Sequence, residues 1–374
     1  MKRCFLNIAF LCLGLVAWQS VFAATATSTL VKAKSAAEAR GFIFYTSHDQ
    51  IVAEAKKESK LRVLTGLDPE SIKAMTIAFK RKYPFIEVIA EEAQGVTEHQ
   101  RILLELKGGM TQWDTISIAN DLYNEYVPYQ KKFDILGMAE HGVLQIHSKM
   151  IDPKNRNIAA LTANIQVGVA FNKNLISLEK TPNTWEDYLR PEFKGKKFLA
   201  DIRPTEIAAL VPAWGMEKTL DYARKLAAQQ PVWLRGGTRG LVSLVVGEHP
   251  MFIGNNYKTI RRMQLKDPAG VLQYKFLEPV PVRPSESVGV IATSVSPHAA
   301  LLWIEFLATA EGQKIIDEFE PFGASIYGPG SIQGQEIRGK KVSLIDWDHY
   351  TRLGDYQSKV VAAYGFPKAE LKGR

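Results

Sequence analysis

The feature that most constrains this chain is a strand–helix–strand unit early on. "LRVLT" (61–65) is a short apolar run of strand character. In "GLDPESIKAMTIAFKRKY", Asp68 stands at the cap position and Pro69 at the first helical position. "IEVIA" (86–90) is a second apolar run. A helix follows with Thr97 and Gln100 in capping-box spacing, then a third strand "DTISIA" (114–119). Upstream, Ser47 is placed to cap a helix through "DQIVAEAKKESK". Strands of 4–6 residues alternating with helices require a largely parallel sheet covered by helices, with ligands outside the carboxyl ends of the strands. The second half alternates in the same way, with strands near "VGVAF" (167–171), "KFLA" (197–200), "MFIG" (251–254), "QYKFL" (273–277) and "SVGVIA", then helices at "PHAALLWIEFLA" and "EGQKIIDEF". The fold class expected is α/β in two units, the chain crossing between them more than once.

The first residues predict export. Lys2 and Arg3 precede an apolar stretch from Phe5 to Trp18, and Val21-Phe22-Ala23 forms a small-residue cleavage site. Both cysteines, Cys4 and Cys12, lie in this segment, so the mature chain has no thiol and is held by its core alone. Cleavage removes two positive charges from a formal +8, leaving a modest basic surplus that does not by itself call for nucleic acid. Residues 24–46 are rich in Ala, Thr and Lys and are expected to be a mobile segment.

Enzyme motifs are missing: no Gly-x-Ser-x-Gly elbow, no His-Glu-x-x-His, no phosphate loop and no Gly-x-Gly-x-x-Gly at a strand exit. "DWDHY" (346–350) reads as a solvated tail segment in preference to a metal cluster. Trp185 and Trp303 read as core, and Trp214 and Trp233 as weaker candidates for lining a cleft.

In "IVAEAKKESKLRVLTG", "AFKRKYPFIEV", "GVAFNKNLI", "TPNTWEDYLRPEFKGKKFLAD", "VVGEHPMFIGNNY" and "SPHAALLWIEFLATAEGQKII", taken in this order, the chain resembles the periplasmic solute-binding proteins of ATP-driven importers, in the branch containing the ferric-ion-binding proteins. The resemblance implies a two-lobed clamshell of type 2 topology, a monomer that closes on a ligand and presents it to an inner-membrane permease. The expected organisation is a signal peptide at 1–23, the mobile segment at 24–46, lobe 1 from 47–165 with 284–330, lobe 2 from 166–283, and a tail at 331–374 packing on the lobes. Ferric members place two tyrosines after a pair of asparagines, whereas here Asn255-Asn256 precede Tyr257 and Lys258. A charged lysine offers no lone pair to a metal. The front loop "TGLDPES" also lacks a histidine that some ferric members use.

The cleft expected from the resemblance is rich in donors. Thr65 and Gly66 follow the first strand, Arg203 follows "KFLAD", Arg235 and Thr238 sit in the turn of "LRGGTRGLVSLVVGE", and Asn255 and Tyr257 follow "MFIG". Guanidinium and free N–H groups at helix starts suit phosphonate, sugar phosphate or carboxylate. The expected function is capture of a small anionic organic solute, with no catalytic residue, no cofactor, no metal ligand and no nucleic-acid partner. Three alternatives stand beside it: ferric-iron binding by Tyr257 with a synergistic anion, a periplasmic enzyme for anionic esters using Asp201, Glu206 or Glu248 as base, and a receptor for a sensor kinase.

Overall fold

The computed structural model describes residues 28–93, 95–118, 122–320 and 322–366. The signal-peptide expectation for 1–23 lies outside them.

The early alternation becomes the first sheet. Strands β1 (Lys60–Thr65), β2 (Glu87–Glu92) and β3 (Thr115–Ile118) are joined by the helices Pro69–Lys82 and Gly95–Lys107, and β1 pairs in parallel with both neighbours. Thr97 lies inside its helix, which starts at Gly95. Ser47 caps His48–Ala55, its hydroxyl accepting from the Gln50 N–H. Asp68 occupies the cap position of Pro69–Lys82, but its side chain makes no capping bond.

After β4 (Ile158–Ala159) the chain leaves the first sheet through β5 (Ala163–Ile165). It builds a second from β6 (Val169–Asn172), β7 (Leu199–Asp201), β8 (Val232–Leu234), β9 (Met251–Ile253) and β10 (Leu272–Lys275). It returns through β11 (Val280–Pro284) to β12 (Ser287–Val290). The orders are β2-β1-β3-β12-β4 and β10-β6-β9-β7-β8, with the returning strand β12 antiparallel to β3 and β4. The two crossing strands β5 and β11 run antiparallel, and β13 (Val342–Leu344) of the tail pairs in parallel with β11, closing a three-stranded hinge sheet.

The core of the first lobe is organised by the helix Pro297–Ala308, predominantly apolar and buried almost throughout. Its Trp303 is 1% exposed and meets Phe79 edge to face, with centroids 5.1 Å apart. Trp185, likewise buried, donates its indole N–H to the Pro279 carbonyl at 3.1 Å, where the second sheet runs into the hinge. Part of the 24–46 segment, expected to be mobile, is built into the first lobe. Residues 28–38 form a helix, Ala37 and Phe44 are buried in the first core, and Ile43 bridges to Phe133. Alanine-rich sequence has high helix propensity, and here it also finds an apolar surface to cover. Among the described residues no helix is long and apolar enough to cross a membrane.

Candidate functional site

The exits of β7 and β9 and the tail enclose a cavity of 810 Å³ that reaches the hinge. At the β7 exit, Asp201 accepts the Arg203 N–H at 2.9 Å on one oxygen and the Gly236 N–H at 3.0 Å on the other. It thereby ties the β7 exit to the glycine turn that follows β8. Arg203 extends from this anchor into the cavity, with more than half of its side chain accessible.

The glycine turn has a specific steric role. Gly236 has φ +103°, a left-handed conformation costly for any residue with a Cβ. A Cβ on Gly237 would sit 2.8 Å from Asn255 Oδ1. The helix Gly237–Val245 therefore starts against the β9 exit only because position 237 is bare. Asn255 is buried and lines the cavity, its Nδ2 donating to the Gly237 carbonyl at 3.4 Å. Arg235 and Thr238, the two donors expected from this turn, are exposed and line neither this cavity nor the one adjoining it at the hinge, and Arg239 is exposed as well. Thr238 and Arg239 stand in the first turn of the helix, and Arg235 stands just before its cap.

Tyr257 also departs from expectation. It is 1% exposed, packs among Tyr274, Phe276 and Phe322, and donates to Glu336 of the tail at 3.0 Å. Burial raises its phenol further above the ordinary range, so its oxygen is neither free nor anionic. Trp214 and Trp233 pack on Tyr222 and on Tyr364 with Phe366, away from the cavity. Glu248 is exposed, while Asp201 and Glu206 line the cavity. In "DWDHY", Asp346 caps the helix Trp347–Tyr350 and Asp348 pairs with Lys154 at 2.7 Å. Among the described residues no group of three or more His, Cys, Asp or Glu is placed to hold a metal ion.

Sequence reasoning missed the hinge contribution. Arg283, Ser285 and Glu286 lie where β11 runs into β12, and all three line both the large cavity and an adjoining one of 240 Å³. Gly66 lines the smaller cavity, and a Cβ there would fall 2.0 Å from Glu286 Oε1, so the bare position admits the carboxylate. Burial pushes the Glu286 carboxyl up, opposed by the Ser117 hydroxyl and the Gly66 N–H. Thr65 is buried behind it, accepting from Ser117 Oγ at 3.4 Å. The tail was missed as a wall: Gln357 and Ser358 line the large cavity, and Gln357 donates to Thr205 Oγ1 at 2.9 Å. The available signal was a polar Arg-x-Ser-Glu cluster inside a proline-rich crossing segment, "PVPVRPSES".

An ionic cluster bridges the lobes beside the smaller cavity. Glu320, at the end of the first-lobe helix Ala310–Phe319, accepts from Ser71 Oγ at 2.7 Å and from the Asp68 N–H. From the second-lobe helix Tyr257–Gln264 it receives Lys258 Nζ, and Arg262 at 3.2 Å. Arg262 also pairs with the Asp68 carboxylate.

No protein family and no curated protein matches the chain in sequence. Solved structures match it in shape. The apo ferric ion-binding protein A of Pasteurella haemolytica aligns with a TM-score of 0.64 at 19% identity, over 83% of this chain and 99% of that one. Trichodesmium IdiA (FutA), in complex with iron and citrate, aligns at 0.63 and 18% identity over 82% and 100%. Iron-bound HitA of Pseudomonas aeruginosa aligns at 0.58 and 16% identity over 81% and 99%. The chain has the two-lobed fold of the periplasmic binding proteins. Identity this low carries the fold and leaves the ligand to the residues of the cleft.

Proposed function

We propose that the protein is the periplasmic substrate-binding component of an ATP-driven importer. In this proposal it captures a small anionic organic solute, a phosphonate, sugar phosphate or carboxylate, in the interlobe cleft and hands it to a membrane permease. The observation that carries the proposal is the 810 Å³ cavity lined by Arg203 from the second lobe and Arg283 from the hinge, with Asn255, Asn256, Gln166 and Ser285 as further polar groups. Cavities of ~300 to 1,000 Å³ suit a small organic molecule. Guanidinium groups suit phosphate or carboxylate oxygens. Ligand bonds made from both sides of the cleft favour the closed state, which the permease then reads.

A second reading, ferric ion with a synergistic anion, is favoured by the names of the structural neighbours. In this chain Tyr257 is engaged with Glu336, so binding of iron by this phenol requires that bond to be given up. Thermal unfolding against phosphonates, sugar phosphates, carboxylates and Fe(III)-citrate separates the two. A ligand at 100 times its Kd adds about 2.7 kcal/mol and moves the midpoint by several degrees. The anion reading expects a shift with a metal-free anion that Arg203→Ala or Arg283→Ala removes and Arg235→Ala leaves intact. A shift with Fe(III)-citrate and with no metal-free anion would establish the second reading instead.

A further inference from the structure

Two carboxyl groups at the β7 exit line the large cavity, and they are used differently. Both oxygens of Asp201 are taken by backbone N–H groups, of Arg203 and Gly236. Glu206, on the short helix Thr205–Ala208, is 6% exposed and lines the same cavity. Among the described residues, the one hydrogen bond reaching its carboxyl comes from its own backbone N–H. Its stem is held in place by the β9 exit, where a Cβ on Gly254, at φ +67°, would lie 2.2 Å from Glu206 Cγ. The charged or titratable groups around it are Asp201 and Arg203 at the β7 exit, with Tyr188, Tyr222 and Tyr364 on the elements packed behind. Burial, with the nearby Asp201 charge, pushes the carboxyl up to about 8. At neutral pH it therefore holds a proton and offers one O–H donor and one carbonyl acceptor. That pair complements a hydroxyl group, which both gives and accepts a hydrogen bond. An ammonium group would call for a carboxylate instead.

We infer that Glu206 is a specificity-determining residue that pairs with a hydroxyl of the solute, so that the cleft selects hydroxylated anions, polyol phosphates or sugar acids, over alkyl phosphates and alkyl carboxylates. The inference rests on the anion reading above. The arginines take the acid group, as they would for any anion, and Glu206 discriminates by what else the solute carries. A buried polar group left without its partner penalises the plain alkyl analogue.

Calorimetric titration of the purified protein at pH 6.5 tests this with two matched pairs: glucose 6-phosphate against hexyl phosphate, and gluconate against hexanoate. The hydroxylated member of at least one pair binds about tenfold or more tightly than its alkyl partner. Glu206→Gln, whose amide keeps a donor and an acceptor, retains that preference. Glu206→Leu loses it. Equal binding within both pairs, or a preference that survives in Glu206→Leu, overturns the role of Glu206 while leaving the anion reading standing. Binding of none of the four probes overturns the anion reading and this inference together. If Glu206→Leu does not fold, as circular dichroism would reveal, Glu206→Met takes its place, and a preference that survives in Glu206→Met refutes the inference.

Discussion

The ionic cluster between the lobes allows a quantitative test of what holds the clamshell together. Glu320 has 1% of its side chain exposed and receives two bonds from its own lobe, from Ser71 and Asp68, and two from the other, from Lys258 and Arg262. Removing one member of a fully buried pair costs about 3 to 5 kcal/mol because the other charge is stranded. Lys258 is 26% and Arg262 39% exposed, so water relieves part of that penalty and the expected cost of Glu320→Gln falls to about 2 to 3 kcal/mol. Lys258→Met removes one interlobe partner and leaves the bonds within the first lobe. The cycle of Glu320→Gln, Lys258→Met and the double variant isolates the term acting across the cleft, expected at about 1 to 2 kcal/mol of coupling. Chemical denaturation supplies the free energies, and small-angle scattering reports a larger radius of gyration for both single variants in the absence of ligand. Coupling below about 0.3 kcal/mol, with unchanged scattering, would show that these charges decorate the cleft edge without holding it.

Three further outcomes are expected. The His48 imidazole, bonded to buried Glu305 at 2.7 Å, has its pKa raised by that bond, so its contribution is complete below about pH 6.5 and is lost as pH rises through the folded-state value. Thermal melts at pH 6 and 8.5 are expected to show wild type losing about 0.5 to 1 kcal/mol relative to His48→Gln, an effect limited by the partial exposure of the ring. Glu206, raised from 4.5 to about 8, follows the same sign: stability present below about pH 4.5 drains away up to about pH 8. Glu206→Gln is therefore more stable than wild type at pH 8, by about 2 to 4 kcal/mol, with the difference vanishing near pH 4. Tyr257→Phe loses the bond to Glu336 and about 1 kcal/mol in denaturation, with no change in affinity for any anion or for Fe(III)-citrate; a loss of metal affinity would put the phenol back in the site.

The elements that the sequence made legible are those encoded locally. Strand–helix alternation between residues 60 and 118 follows from the apolar period, and parallel pairing follows from the connecting helices. The hinge sheet was not legible, because β5, β11 and β13 are segments of three to five residues whose partners lie far away in sequence, and so short a run carries no address. The site divides the same way. Arg203, Asn255 and Gly66 stand at strand exits, so their placement at the cavities follows from topology. Thr238 and Tyr257 depend on how a helix is rotated about its axis, and one residue of rotation turns a ligand group outward or buries it, while Arg235 depends on the course of the glycine turn. Arg283, Glu286, Lys258 and Glu320 are brought together only by the meeting of the lobes.

Asp68 shows how a local signal can be correct in form and mistaken in use. An aspartate followed by proline at a helix start satisfies every rule for a cap, yet its side chain makes no capping bond and pairs with Arg262 across the cleft. Its own N–H is engaged by Glu320, the carboxylate that also receives Lys258. One helix start in the first lobe thus becomes a docking point for one helix of the second, and a cap worth about 1 kcal/mol is given up for a contact between lobes. Arg283 completes the logic from the other side. It lies on a crossing strand and lines both cavities, so a ligand bonded to it is bonded to the hinge itself. Binding and closure then share a residue, and the free energy gained at the ligand acts directly on the angle between the lobes.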